Sequence, residues 1–197
     1  MSATQPFRLG LTGSIGMGKS TTAALFREQG VPVWDADAAV HRLYAPGGAA
    51  VAPLAVLCPA AVKDGGIDRA GLKDWIAADP TALSRIEAVV HPLVSADRDA
   101  FATTATAPLI VFDIPLLFEK GTEAMMDATL LVTAPPALQR ARVLARPGMT
   151  EAQFATILAR QMPDRDKRAR ADHIIETLSP DSARAAVRAL IAYLVPH

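Results

Sequence analysis

The feature that most constrains this chain lies near its start, where residues 7–22 read FRLGLTGSIGMGKSTT. Within this stretch Gly13, Gly18, Lys19 and Ser20 match the spacing G-x-x-x-x-G-K-S, which is typical of a phosphate-binding loop. The apolar residues before the loop predict a buried strand, and a helix should begin at about Gly18. Glycines let the backbone turn its N–H groups around a phosphate chain, and the helix N-terminus adds about half a positive charge there. The pattern predicts a nucleoside triphosphate site, in which Lys19 would reach the β- and γ-phosphates and the Ser20 hydroxyl would hold Mg²⁺.

The composition excludes several classes of protein. Twenty basic residues balance twenty acidic ones among 197, so we expect no nucleic-acid partner held by bulk charge. Cys58 is the only cysteine, which excludes an intrachain disulfide and argues against a zinc site built from cysteines. The first residues lack the pattern of a signal peptide, and no apolar run is long enough to cross a membrane. We therefore expect a cytoplasmic protein without membrane association.

Strand and helix patterns alternate along the chain, which favours a parallel sheet covered by helices on both faces. The five predicted strands start near Phe7, Val31, Leu109, Thr129 and His173. This predicts a three-layer αβα sandwich of the phosphate-loop NTPase class, with an α/β core formed by residues 1–37 and 108–197. Residues 38–107 show helical spacing with breaks and no convincing strand, and we interpret them as a helical, acceptor-binding insertion.

Acidic residues follow two of the predicted strands. Asp35 and Asp37 come after the second strand, and Asp113 closes the apolar run LIVFD. Since ligands bind at the carboxyl ends of strands in such sheets, we expect Asp113 to help order Mg²⁺ and Asp37 to accept the proton of an acceptor hydroxyl. Asp35 has two interpretations: it belongs to the same site, or it caps the helix starting near Ala38.

Three further features are candidates for the acceptor site, each with a plainer alternative. The apolar segment Ile114–Glu119 either forms a wall of the acceptor pocket, which we favour, or is part of the core. Arg69 either meets a substrate phosphate or lies in water. His91 is either a substrate contact or a structural histidine.

A segment at residues 138–163 has the features of a lid. Arg142 and Arg146 are spaced i, i+4 and so share one helix face, on which they would bring positive charge to the transferring group. A solvated face is the alternative, and Arg140 should point to solvent. The guanine-specific motif N-K-x-D is absent, so a kinase is favoured over a GTPase switch.

Several stretches, in this order, resemble the dephospho-CoA kinase family, and the likeness covers nearly the whole chain. They are GLTGSIGMGKST (10–21), DAD (35–37), IDRAGLKDWIAADPTALSRIEAVVHPLV (67–94), DIPLLFE (113–119), RQM (160–162) and KRARADHII (167–175). The resemblance implies a core of five parallel strands, a helical CoA-binding domain and a lid. It also implies transfer of the ATP γ-phosphate to the ribose 3′-hydroxyl of dephospho-CoA.

The resemblance also implies roles for individual residues. Asp37 matches the proposed base, Arg142 and Arg146 match lid arginines, and Lys19 completes the catalytic set. The ATP-binding residues would be Gly13, Ser14, Ile15, Gly16, Met17, Gly18, Lys19, Ser20 and Thr21. The acceptor would meet Asp35, Asp37, Arg69, His91, Pro115, Leu116, Leu117, Phe118 and Glu119.

Three departures from the family pattern bear on the nucleotide site. Ser14 and Met17 replace a common glycine and serine in the loop, and phosphate binding requires that the backbone geometry at Ser14 be allowed. Thr177 stands where the family usually has asparagine after the last strand, which leaves a purine or backbone contact there in question. Two other functions stay open: a kinase for a nucleoside monophosphate, shikimate or gluconate, and a regulatory nucleotide-binding module without turnover. We expect a monomer, with an oligomer as the alternative.

Overall fold

A computed structural model describes residues 5–195 of the chain. Its strands are β1 (Phe7–Thr12), β2 (Val33–Asp35), β3 (Val62–Lys63), β4 (Gly66–Ile67), β5 (Leu109–Asp113), β6 (Ala128–Thr133) and β7 (His173–Glu176). Its α-helices are α1 (Lys19–Glu28), α2 (Ala36–Tyr44), α3 (Val51–Leu57), α4 (Arg69–Ala78), α5 (Ala82–Thr104), α6 (Pro136–Leu144), α7 (Glu151–Ala159), α8 (Asp164–Arg170) and α9 (Pro180–Leu194). Within the described range, none of these helices combines the length and apolar character that a membrane span requires.

The chain divides into two compact units. The first comprises the described residues up to Trp34 and from Ala105 onward, and the second is Asp35–Thr104. The division falls three residues before each boundary predicted from the sequence, so Asp35 and Asp37 belong to the second unit.

The main sheet is parallel, and its strand order is β2-β5-β1-β6-β7. Strand β1 lies in the middle, with Leu9 opposite Val111 of β5 and opposite Ala128 of β6. This confirms the predicted five-stranded parallel sheet flanked by helices. The carboxyl ends of its parallel strands meet at one edge, which is where the phosphate-binding loop leaves β1.

The core of the first unit forms where α1 and α9 pack with the sheet. Leu25 and Phe26 of α1 are buried, and Val187 of α9 is fully buried with them. Each such side chain stabilises the fold by about 2 kcal/mol relative to an exposed one. Helix α9 starts at a capping box in which Ser179 and Ser182 exchange hydrogen bonds. These two helices fix the positions of the segments before them, the phosphate-binding loop and the end of β7.

The second unit corrects one sequence-based expectation and contains a proline within a helix. It contains a short antiparallel hairpin, β3–β4, although no strand was predicted there. Its turn is Asp64-Gly65, and both residues have positive φ (51° and 77°), as a two-residue hairpin turn requires. Pro92 lies inside the continuous helix α5, although a proline ring usually bends or interrupts a helix. Its ring leaves the carbonyl of Ala88 without an N–H partner, and Ala88 and Pro92 are both exposed, so water can solvate that carbonyl.

Candidate active site

The phosphate-binding loop joins β1 to α1, and its glycines are fixed by close packing. Gly18 caps α1 with a φ of 91°, a left-handed conformation that side-chain-bearing residues rarely adopt. A Cβ atom at Gly13 would lie 2.5 Å from Val132 Cγ2 and 2.8 Å from the Val132 carbonyl oxygen. The first and last glycines of the motif are therefore required by geometry, and the helix begins one residue after Gly18.

The two loop departures are accommodated. Outside glycine, the described residues contain one positive φ, at Asp64, so the backbone of Ser14 is in an allowed region. Met17 is buried, and its sulfur accepts a hydrogen bond from the backbone N–H of Ala134 at 3.0 Å. Neither substitution distorts the loop.

Lys19 and Asp113, predicted separately from two motifs, meet in the structure. Lys19 Nζ lies 2.5 Å from Asp113 Oδ1, and the two side chains are 17% and 3% exposed. Ser20 is exposed in the first turn of α1. A cation, a carboxylate and a hydroxyl therefore lie where the loop, α1 and β5 come together.

Two glutamines also hold the phosphate-binding loop, through hydrogen bonds to Ile15. The Gln139 amide donates to the Ile15 carbonyl at 2.8 Å, and Gln161 Oε1 accepts from the Ile15 N–H at 3.1 Å. Gln139 is buried in α6, and Gln161 follows α7. The predicted lid segment is thus bonded directly to the loop. The sequence did not assign this contact, and its only local signal is Gln139, a polar residue at a buried position of a helix.

Both predicted lid arginines line a cavity beside the loop. This cavity has a volume of about 300 Å³, and its lining includes Gly16, Gly18, Thr21, Arg142, Arg146, Thr177, Ser179, Pro180 and Ala183. Helix α6 ends at Leu144, so Arg146 lies in the turn that follows rather than in the helix. Arg140 forms an ion pair with Glu151 at the surface. The cavity therefore combines two guanidinium groups with glycines of the loop.

The Pro115–Glu119 segment contains both buried and half-buried residues. Leu117 and Phe118 are buried at 0% and 3% exposure, which fits the core interpretation rather than a pocket wall. Pro115 and Leu116 are half-buried beside them. The role of Pro115, Leu116 and Glu119 at an acceptor pocket stays a prediction.

One carboxylate oxygen of Glu119 is held by contacts within the fold. Its Oε1 lies 2.9 Å from Lys167 Nζ, a fully buried ammonium, and accepts the Met162 N–H at 2.9 Å. Burial alone would raise the pKa of this carboxyl, but the bonds from Lys167 and Met162 outweigh burial and hold the pKa below its usual value. Oε2 is buried and has no hydrogen-bond partner among residues 5–195. One oxygen therefore anchors the segment, and the other remains to accept a bond.

In the second unit, two separately predicted residues line one cavity. Asp37 and Arg69 lie along a cavity of about 530 Å³, together with Val40, Tyr44, Leu72, Lys73 and Ile76. Arg69 lies over the Tyr44 ring at 5.9 Å, and burial raises the pKa of the Tyr44 phenol despite this nearby cation. The cavity combines a carboxylate, two cationic side chains and apolar walls.

Asp35 and His91 are not among the residues that line this cavity. Asp35 Oδ1 accepts the Ala38 N–H at 2.9 Å and so caps α2, the second of its two interpretations. His91 lies on the exposed side of α5, with Nε2 3.7 Å from Glu87 Oε1. The structure therefore gives Asp35 a capping role and places His91 beside Glu87, and a substrate contact for either stays a prediction.

Comparison with known proteins extends the likeness over most of the chain. A sequence model of the dephospho-CoA kinase family matches residues 7–180. A protein named dephospho-CoA kinase from Cereibacter sphaeroides is 74% identical over 190 residues, 96% of each chain. Another of that name, from Ruegeria pomeroyi, is 60% identical over 185 residues, 94% of each chain. A crystal structure of a Thermus thermophilus protein is 39% identical, with a TM-score of 0.85 over 98% of this chain and 100% of that one.

Proposed function

This chain belongs to the dephospho-CoA kinase family, and from that premise we propose that it transfers the γ-phosphate of ATP to the ribose 3′-hydroxyl of dephospho-CoA. The reaction forms a bond between the 3′ oxygen and the γ-phosphorus. It breaks the bond from that phosphorus to the oxygen bridging the β- and γ-phosphates, which leaves with ADP. The hydroxyl proton passes to a carboxylate, for which we propose Asp37. The products are CoA and ADP.

The loop and its cavity support ATP as the donor. Backbone N–H groups at the start of α1 and the Lys19 ammonium offer positive charge to the β- and γ-phosphates. The cavity lined by Gly18, Arg142 and Arg146 adjoins the same loop. Guanidinium groups there would offset charge that develops on the transferring group.

Ser20 and Asp113 fit a Mg²⁺ ion that arrives with ATP. A hydroxyl and a carboxylate are oxygen ligands of the type that Mg²⁺ prefers. Within residues 5–195 no group of three or more histidine, cysteine or acidic side chains could hold a metal. Phosphate oxygens and water would therefore complete the coordination, as is usual for Mg²⁺ bound with a nucleotide. When bound, the ion neutralises charge on the phosphates.

The cavity of the second unit supports an acceptor that carries phosphate. Asp37 supplies a carboxylate to accept the hydroxyl proton, and Arg69 and Lys73 supply positive charge in the same cavity. Dephospho-CoA carries a 5′-diphosphate and a ribose 3′-hydroxyl, and both groups find complementary chemistry there. We extend the proposal to a cytoplasmic location, which rests on the single cysteine and the absence of an intrachain disulfide.

The choice of dephospho-CoA as the acceptor rests on the family match. The phosphate-binding loop alone does not decide it, because such loops occur in kinases for other small molecules. The test is ADP release at fixed Mg-ATP, with dephospho-CoA, AMP, shikimate and gluconate offered in turn. We expect strong ADP release with dephospho-CoA and none with the other three acceptors. Release with a different acceptor, or none from protein that binds ATP, would contradict the proposal.

A further inference from the structure

Thr177 follows β7 directly and is buried, with 5% of its surface exposed. Its backbone N–H donates to the Thr133 carbonyl at 2.8 Å, at the end of the neighbouring strand β6. The residue is therefore held firmly at the carboxyl edge of the sheet, with its side chain turned toward the phosphate-binding loop.

The Thr177 hydroxyl joins two parts of the ATP site. It donates to the Met17 carbonyl at 2.8 Å, inside the loop, and accepts from Arg142 Nη1 at 2.9 Å. The Thr133 carbonyl lies farther from the same hydroxyl, at 3.3 Å. Because a hydroxyl has one proton and two lone pairs, it can make the Met17 and Arg142 bonds at the same time.

Arg142 is held by Thr177 through two nitrogens. Nη1 donates to the hydroxyl, and Nη2 donates to the Thr177 carbonyl at 2.5 Å. Two parallel bonds fix the plane of a guanidinium, which one bond alone does not. The direction in which Arg142 presents its charge to the cavity is thus set by this one residue.

The loop also packs against Thr177 at its left-handed turn. A Cβ atom at Gly18 would lie 2.9 Å from Thr177 Oγ1 and 3.1 Å from Cγ2. Gly18 is the residue that caps α1, so the start of that helix rests on the threonine side chain.

We infer that Thr177 is a positioning residue for ATP, acting through Arg142 and through the Met17–Gly18 turn. It fixes the guanidinium and the loop relative to each other before the nucleotide binds. The inference rests on the proposed function only in taking ATP as the nucleotide.

The test compares Thr177→Val, which keeps the shape and removes the hydroxyl, with Thr177→Ser, which keeps the hydroxyl. ATP affinity is measured by calorimetry with Mg²⁺ and without acceptor, alongside a melting curve for each variant. We expect Thr177→Val to weaken ATP binding by about tenfold, the value of one hydrogen bond to a charged group, and Thr177→Ser to stay within about threefold of wild type. In the full reaction, Thr177→Val should raise the KM for ATP and leave the KM for the acceptor unchanged. Thr122→Val, which removes a hydroxyl that donates to the Leu117 carbonyl, is the matched control and should bind ATP as wild type does.

Two results would overturn the inference: a folded Thr177→Val protein with wild-type ATP affinity, or equal losses in the valine and serine variants. The second would mean that the packing of the whole side chain matters and that the hydroxyl has no particular role. Should Thr177→Val fail to fold, Thr177→Cys, whose thiol bonds only weakly, replaces it in the comparison with serine. Since ATP titration needs no acceptor, inactivity of the wild-type protein toward dephospho-CoA would contradict the proposed function and leave this test intact.

Discussion

Lys19 Nζ lies 2.5 Å from Asp113 Oδ1, an ion pair that joins the first residue of α1 to the last residue of β5. The pair holds an ammonium at the edge of the sheet where the phosphates of ATP are proposed to bind. It also balances a carboxylate that is almost fully buried, with 3% of its side chain exposed. The same lysine therefore serves the fold and the proposed chemistry.

Replacing Lys19 should impair both roles. In Lys19→Met we expect turnover to fall by at least about 100-fold, because a positive charge on the phosphates is lost. We also expect the free energy of unfolding to fall by about 3 kcal/mol, because Asp113 loses its charged partner in a buried setting. Steady-state kinetics and urea unfolding measure the two effects separately. Unchanged turnover would remove the argument for the phosphate-binding loop.

Asp37→Asn tests the proposed base. We expect the kcat to fall by about 100-fold with ATP affinity retained, because the amide cannot take the hydroxyl proton. Asp74→Asn, on the exposed surface of α4, makes the same chemical change away from the cavity and should leave kcat unaltered. Turnover of Asp37→Asn close to that of wild type would rule out Asp37 as an essential base.

Two arginines of the predicted lid segment can be compared as a matched pair. Arg146 lines the cavity beside the loop, whereas Arg140 is bonded to Glu151 at the surface. We expect Arg146→Ala to lower kcat by about 100-fold through lost stabilisation of developing charge. Arg140→Ala should change kcat by less than about twofold, since exposed ion pairs contribute little. Equal effects of the two substitutions would contradict a catalytic role for Arg146.

The Glu119–Lys167 pair predicts acid sensitivity. The pKa of Glu119 is lowered in the folded protein, so its stabilisation is complete above the ordinary value of 4.5 and is lost as the pH falls through the lowered pKa. The pKa of Asp172 is also lowered, mainly by the Thr129 hydroxyl. Both carboxyls therefore stabilise the folded state at pH values above their ordinary pKa values, and both lose that effect in acid.

We expect the free energy of unfolding to decline as the pH falls below about 4.5. Glu119→Gln should flatten part of that decline and cost about 3 kcal/mol at pH 7, because Lys167 is left buried without its partner. Urea unfolding at pH values from 7 to 3 measures both. A decline as steep in Glu119→Gln as in wild type would show that this carboxyl does not contribute.

Much of the fold follows from local patterns in the sequence. The strand Leu109–Asp113 was predicted at its observed bounds, because an uninterrupted apolar run ending in an acidic residue is a strong signal. The capping box at Thr150 and Gln153 also follows from a local pattern, the spacing T-x-x-Q. The hairpin β3–β4 was missed because each strand has only two residues, too few for alternation to be detected.

The parts of the site that the sequence did not predict depend on distant partners. Gln139 and Gln161 contact Ile15 across 124 and 146 residues, and a polar residue at a buried helix position does not by itself identify so distant a partner. Apolar side chains such as those of Leu117 and Phe118 occur both in the walls of pockets and in protein cores. Only packing in the folded chain decides between the two.

The most direct test of the central claim is to identify the phosphorylated atom. The protein is incubated with Mg-ATP and dephospho-CoA, and the purified product is examined by mass spectrometry and by phosphorus and proton NMR. We predict one added phosphate, on the ribose 3′ oxygen, and an equal amount of ADP. A phosphate on the 2′ oxygen, or ADP formed without any phosphorylated dephospho-CoA, would contradict the account.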